Sequence, residues 1–327
     1  MISLNTLNYG NFSHVAVSLG YFMEIHPMIA PPLPAAPLAS TLTRGATVDR
    51  RNTLPPPEFN AEYALQQKPV VLTDALEHWA APGKWTPEFF ARTYPEKLLK
   101  FKYGGIEMKM KDFIPLVMAS SPANPAPYWT NNVVADYFPE LLPDITPLPA
   151  HTRPNWAEHR FLHRALGAGV NRGAKVEIYI GGPGGTFPVL HWDGMSTHGW
   201  LMQLHGLKQY WLWPPDDQAF MYPKEGAERN LSYIRNVEQP DLVTYPLFAN
   251  ARCSTLVLAP GEMLYVPSRW WHTAKMLSPS VTLSTNTLNT ANWANFCDDL
   301  THRTGGASRL AKRAYLALER ARFGLAG

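Results

Sequence analysis

Pro188-Val189-Leu190-His191-Trp192-Asp193 sets an imidazole and a carboxylate two residues apart. In an extended chain residues i and i+2 project to the same face, so His191 and Asp193 aim at one point while Trp192 faces away. Two donors are half of a metal site. Further along, Trp271-His272-Thr273-Ala274 begins a strand just after the turns at Gly261 and Pro267 and supplies a third donor, His272. Two histidines and one carboxylate on one side of a metal leave the other side open to exchangeable ligands, as non-haem Fe(II) oxygen chemistry requires; zinc accepts a similar donor set. His198 and His205 are reserve ligands, since neither has a carboxylate at i+2.

The surrounding text reads as strands. Residues 175–180 alternate, with Val176, Ile178 and Ile180 on one face. The glycines at 181, 182, 184 and 185 end that strand, and no helix or Gly-Lys-Ser/Thr follows them, which argues against a phosphate loop. Residues 200–204 and 208–213 flank His205-Gly206 and predict a hairpin. Strands at 255–258, 263–266, 271–274 and 280–286 complete the run. In the last of these Ser280, Thr282, Ser284 and Asn286 share one face, and a polar row on a core-like strand points to a lumen that holds a polar ligand. The long excursion 216–250 has few regular signals and is a candidate substrate-facing insertion.

Upstream, the pattern predicts a short helix over 57–66, a buried strand over 68–73, and a helix from 85 to 94 with Thr86 as N-cap and Pro87 at N1. A hairpin is expected from 101–103 and 107–109 around Gly104-Gly105, then a helix over 112–118 that Pro115 limits to a turn or two. Tyr128-Trp129-Thr130 has strand character.

The chain has 327 residues, enough for one large domain with elaborations. A net charge of +3, from 29 basic and 26 acidic side chains, is too balanced for nucleic-acid binding by the whole domain. Cys253 and Cys297 lie in no zinc-ligand spacing, which fits a reducing cytoplasm. No apolar run reaches the roughly 18 residues of a membrane span. Residues 1–45, rich in proline and low in charge, read as a flexible leader or as text upstream of a later start at Met23 or Met28. Residues 46–290 form the main domain and 291–327 a helical segment. In that segment Leu310, Ala314, Ala317, Leu318 and Ala321 form an apolar stripe, which would pack on its own domain or against a second copy in a homodimer.

Taken as an ordered set, certain motifs resemble the JmjC and cupin-like Fe(II)/2-oxoglutarate oxygenases, in particular the branch with the asparaginyl hydroxylase that inhibits hypoxia-inducible factor. They are Gly184-Gly185-Thr186, His191-Trp192-Asp193, residues 203–208, Trp213-Pro214-Pro215, Pro260-Gly261-Glu262, Val266-Pro267, Trp270-Trp271-His272 and Asn286. Upstream, residues 68–74 and Tyr128-Trp129 are also similar. The resemblance implies a mainly β chain: an eight-stranded double-stranded β-helix, or jelly roll, with flanking N-terminal α/β elements and C-terminal helices. It implies that His191, Asp193 and His272 bind Fe(II), and that Lys208 pairs with the distal carboxylate of 2-oxoglutarate. Tyr128 and Asn286 would complete that pocket. Relatives often carry a threonine where this chain has Pro188, and Thr186, Thr282 or Ser284 would have to supply the missing hydroxyl. The implied reaction uses O2 and 2-oxoglutarate, yields succinate and CO2, and hydroxylates a C–H bond of a protein or peptide side chain, or of a small molecule. An N-methyl target would instead be demethylated. Trp129, Trp192, Trp200, Trp270 and Trp271 are expected around the substrate. Two other readings share the donor set: a zinc- or manganese-dependent cupin isomerase or hydrolase, and a non-catalytic binding barrel.

Overall fold

The computed structural model describes residues 42–159, 162, 175–302, 313–318 and 321. The leader up to residue 41, and Leu310 of the C-terminal stripe, lie outside the described residues. The strands in chain order are β1 (Asp49–Arg51), β2 (Val70–Leu72), β3 (Leu98–Lys100), β4 (Glu107–Lys109), β5 (Trp129–Val133) and β6 (Glu177–Gly181). They continue as β7 (His198–His205), β8 (Lys208–Trp213), β9 (Ser254–Leu258), β10 (Met263–Val266), β11 (Trp271–Met276) and β12 (Ser280–Thr287).

Seven strands make one sheet in the order β1-β2-β10-β7-β12-β6-β5, and β11-β8-β9 make a second. The segment before the metal motif lengthens the second sheet by running antiparallel to β11, with bridges Thr186↔Lys275 and His191↔His272. Tyr210, Leu212, Leu258 and Ala274 from the small sheet meet Val71, Leu264 and Val266 from the large one in a buried cluster. The two sheets therefore face each other as the sandwich of a jelly roll.

The expected hairpin at His205-Gly206 does not form. β7 pairs with β10 and β12, whereas β8 pairs with β11 and β9, so the chain crosses from one sheet to the other at this turn. Gly206 makes the crossing with φ +73, and a Cβ there would come closer than 3.0 Å to the Pro279 carbonyl. Only glycine fits that corner.

The outer face of the large sheet carries the main core. Ile178, Ile180, Trp200, Met202, Tyr265, Val281 and Leu283 pack against Phe59, Trp85, Phe90, Phe113 and Phe138 of the N-terminal elaboration. Three helices supply most of these: α1 (Pro56–Phe59, continued to Ala64), α2 (Pro87–Thr93) and α3 (Met110–Ala119). Thr86 caps α2 by accepting from the Phe89 N–H at 3.1 Å, as its sequence position suggests. α3 runs longer than Pro115 led us to expect. Its buried side chains Met110, Phe113, Ile114 and Val117 each contribute about 1.5–3 kcal/mol, which outweighs the roughly 3 kcal/mol that an interior proline costs. β3 lies three residues before its expected position, because Phe101 is buried against Phe113 and residues 101–106 become the loop.

Residues at the end of the predicted leader are paired: Thr43 donates to Ala249 and accepts from Cys253, and Gly45 donates to Cys253. At the other end α4 (Trp293–His302) buries Trp293 and Phe296 with Trp156 and Leu316. In the C-terminal stripe Ala314, Ala317 and Leu318 are exposed, and Leu316 is the buried residue. Among the described residues no helix is long and apolar enough to cross a membrane.

Candidate metal centre

The bridge between His191 and His272 brings the two imidazoles together. Each residue's N–H donates to the other's carbonyl, at 3.1 and 2.6 Å, and the ring centroids are 4.3 Å apart. Asp193, two residues on and still extended, completes the group; one ligand atom from each of the three lies within 4.8 Å of the others. The His191 Nδ1 faces the Val189 carbonyl at 3.2 Å and the His272 Nδ1 faces the Trp270 carbonyl at 2.9 Å. These contacts fix Nδ1 as the protonated nitrogen and leave each Nε2 lone pair free to bind a metal. Phe187 stacks on the His191 ring, with centroids 4.7 Å apart.

Asp193 has room because residue 199 is glycine: a Cβ there would come closer than 3.0 Å to Asp193 Oδ2. Burial raises the Asp193 pKa above the ordinary carboxylate range, with His272 and the Asn286 amide opposing that shift. Burial, then the neighbouring His272, holds His191 well below the ordinary imidazole value, so it stays neutral. Neutral nitrogens and a carboxylate whose ionisation a cation would restore suit a divalent metal.

Behind this group the space between the sheets is polar. Lys208 is buried, and its Nζ donates to the Tyr128 hydroxyl at 2.8 Å and lies 3.4 Å from Thr282 Oγ1. The Tyr128, Tyr179 and Tyr210 rings surround the ammonium at 5.4–5.5 Å. Burial lowers the Lys208 pKa to about 7, and no carboxylate pairs with it among the described residues. The Thr282 hydroxyl donates to Gln203 Oε1 at 2.8 Å, while Gln203 Nε2 donates to Ser280 and to the carbonyls of His205 and Gly206. The polar row on β12 therefore faces the buried Lys208 and Gln203 between the sheets.

Among the sequence-predicted site residues, the structure brings His191, Asp193 and His272 together in one group and Lys208, Tyr128 and Thr282 in another. Asn286 lies at the metal end of the row: its amide interacts with the Asp193 carboxylate and donates to the His198 carbonyl at 3.3 Å. Thr186 is not brought in, being exposed and bridged to Lys275. His198 is a core residue, with Nδ1 accepting from the Ser268 N–H at 3.0 Å. The tryptophans do not line the lumen. Trp129 and Trp200 belong to the outer core, Trp192 packs edge-on to Trp271 and beneath Arg229 and Arg269, and Trp270 donates to the Gln67 carbonyl.

Sequence reasoning missed Glu177, Tyr179, Tyr210 and Asn131, which join or adjoin the lumen. The signal was present, since Glu177 and Tyr179 occupy the face of 175–180 opposite the apolar residues. The 216–250 excursion clasps the metal motif: the Trp192 N–H donates to the Asn230 carbonyl, the Asn230 side-chain amide donates to the Trp192 carbonyl, and the Ser232 N–H donates to the Leu190 carbonyl.

A family model described as a cupin-like domain matches residues 56–298. Lysine-specific demethylase 8 of Xenopus tropicalis is 27% identical over 236 residues, covering 69% of this chain and 49% of that protein. Lysine-specific demethylase JMJ21 of Arabidopsis thaliana is 28% identical over 77% of this chain and 26% of its own length. HSPB1-associated protein 1 of Homo sapiens is 26% identical over 67% of this chain and 47% of its own. The chain thus spans half or less of the length of these relatives.

Proposed function

The chain belongs to the cupin-like domain family, and on that premise we propose that it is an Fe(II)- and 2-oxoglutarate-dependent oxygenase that hydroxylates a protein or peptide side chain. One observation carries this reading beyond metal binding: the buried Lys208 ammonium, ringed by Tyr128, Tyr179 and Tyr210, faces the lumen without a carboxylate partner among the described residues. Burying an unpaired cation is costly, and a dicarboxylate whose far end reaches it removes that cost. A zinc hydrolase or a plain binding barrel has no need of such a group.

His191, Asp193 and His272 would hold the iron. When bound, Fe(II) supplies the redox centre at which O2 is activated as 2-oxoglutarate is converted to succinate and CO2. The chain's own residues do the positioning. Two backbone carbonyls orient the imidazoles, Gly199 gives Asp193 its place, and Asn286 holds the Asp193 carboxylate from β12. Lys208, Tyr128 and Thr282 would fix the distal carboxylate of 2-oxoglutarate, with Gln203 orienting the Thr282 hydroxyl. Tyr128 stays a neutral donor or acceptor because burial raises its pKa. A protein substrate is supported by relatives named as lysine-specific demethylases. That naming also keeps demethylation as the alternative outcome at the same site.

Incubating the purified chain with 2-oxoglutarate in air under Fe(II), Mn(II) or Zn(II) tests the reading by succinate release. Succinate should form with Fe(II) alone and stop in Lys208→Met. Equal yields with and without Fe(II) would remove the oxygenase assignment.

A further inference from the structure

We propose that Arg269 is a positioning residue for the metal ligands: anchored by Asp298 of α4, it locks together the turns next to Asp193 and His272 and presses on the Trp192 ring between His191 and Asp193. This rests on the metal-binding reading of that group and holds whichever chemistry the metal supports.

Both turns have a backbone that side chains rarely adopt. Met195 and Ser196, just after Asp193, have left-handed φ of 60 and 52, and Arg269, just before His272, has φ 64. Such backbone persists only where the surroundings over-determine it. The Ser196 carbonyl accepts from Ser268 Oγ at 2.8 Å and from Asn292 Nδ2 at 3.2 Å, and the Ser196 hydroxyl accepts from Arg269 Nε at 3.1 Å. One guanidinium therefore joins the turn that follows Asp193 to the turn that precedes His272.

The same guanidinium reaches α4 and the metal motif. Nη2 donates to Asp298 Oδ2 at 2.7 Å and to the Asn295 carbonyl at 3.4 Å, and the group lies 5.8 Å from the centre of the Trp192 ring. Trp192 is buried, and as the residue between two ligands its side chain takes the face opposite theirs, so pinning its ring pins the short extended segment that aims His191 and Asp193. A second guanidinium repeats the arrangement from the 216–250 excursion. Arg229 lies 5.9 Å from that ring and donates from Nε and Nη2 to Asp299 Oδ1 at 3.1 and 2.7 Å. The hydrogen bond from Arg269 is the main cause that holds the Asp298 carboxyl below the usual carboxylate range, so α4 meets Arg269 with an ionised partner. A planar cation with forked donors can serve a hydroxyl, a carboxylate and a ring face at once, whereas lysine offers the charge without the fork.

Calorimetric Mn(II) titration of the full chain, with electron paramagnetic resonance of the bound ion at saturating metal, tests this. Arg269→Lys should weaken Mn(II) binding about tenfold, the lower end of the range for groups that orient ligands. It should also broaden the Mn(II) spectrum, because ligands that are no longer fixed give a spread of geometries even when every site is filled. Asp298→Asn should do the same, and Asp298→Glu, which keeps the charge, should restore most of the affinity. Lys84→Gln removes the 2.6 Å ion pair with Asp144 in the N-terminal elaboration and should leave both readouts at the wild-type level. Wild-type affinity and spectrum in Arg269→Lys and Asp298→Asn overturn the proposal. So does an equal loss in Lys84→Gln, which would make the effect a general response to a lost ion pair, and so does an Asp298→Glu protein no better than Asp298→Asn. A wild type that holds no Mn(II) removes the metal reading itself, and this proposal with it.

Discussion

Gly199→Ala is the most economical perturbation of the metal group, because it adds one carbon at a place the structure leaves for Asp193. The new Cβ would come closer than 3.0 Å to Asp193 Oδ2, whereas ordinary contact begins at 3.4 Å, so the carboxylate must move by at least about 0.4 Å. The backbone cannot retreat, because β7 is held on both sides by β10 and β12 and the Val266 Cβ is already in contact at 3.7 Å. Displacing one oriented ligand is expected to cost about 10–100-fold in metal affinity, the range seen when groups that orient ligands are lost. Stability should move the other way. Alanine in a strand interior is favoured over glycine by about 0.5–1 kcal/mol, and the φ at this position is not left-handed. Mn(II) titration by calorimetry, paired with thermal unfolding of the metal-free protein, measures both. A variant that binds Mn(II) like the wild type would refute the inference that Gly199 makes room for a ligand; a collapsed melting temperature would show that the clash is absorbed by the fold instead.

Three further outcomes are expected. His191→Ala and Asp193→Ala should each lose Mn(II) retention after gel filtration while keeping the wild-type circular dichroism spectrum, since the sheets do not depend on either side chain. Tyr128→Phe removes the acceptor of the Lys208 hydrogen bond and should weaken 2-oxoglutarate binding about tenfold, with Mn(II) affinity unchanged. Lys208 titrates near pH 7 in the folded chain against an ordinary 10.5, so between those values the unfolded chain binds the extra proton. Stability without cosubstrate should therefore rise with pH across that window, approaching about 1.4 kcal/mol per pH unit. Lys208→Met should remove this component of the rise in denaturant titrations at pH 6–10, and identical pH profiles for the two proteins would contradict the burial argument.

The metal group was legible because period-two alternation places His191 and Asp193 on one face, and the order of the strands brings His272 to them. Thr186 is exposed and bridged to Lys275, a pairing that its spacing from His191 does not reveal. The hairpin at Gly206 failed because a tight turn in sequence does not say whether the next strand pairs with the last or crosses to the opposing sheet; that depends on β10, β11 and β12, far along the chain. The tryptophans misled because size predicts burial without predicting on which side of the sheet. Tyr128, Tyr179 and Tyr210 surround the lumen cation instead, where an aromatic wall needs polar tips. Glu177 was hidden by attention to the apolar half of its strand. Its polar half lies against the polar row of β12, a pairing that appears only once register is known.

The most direct measurement of the central claim is an anaerobic titration of the Fe(II)-loaded protein with 2-oxoglutarate, followed by visible absorption. Coordination of 2-oxoglutarate at an iron held by His191, Asp193 and His272 should produce a saturable metal-to-ligand charge-transfer band, shifted to higher 2-oxoglutarate concentration in Lys208→Met. Iron that binds with no such band at saturating 2-oxoglutarate would contradict the account.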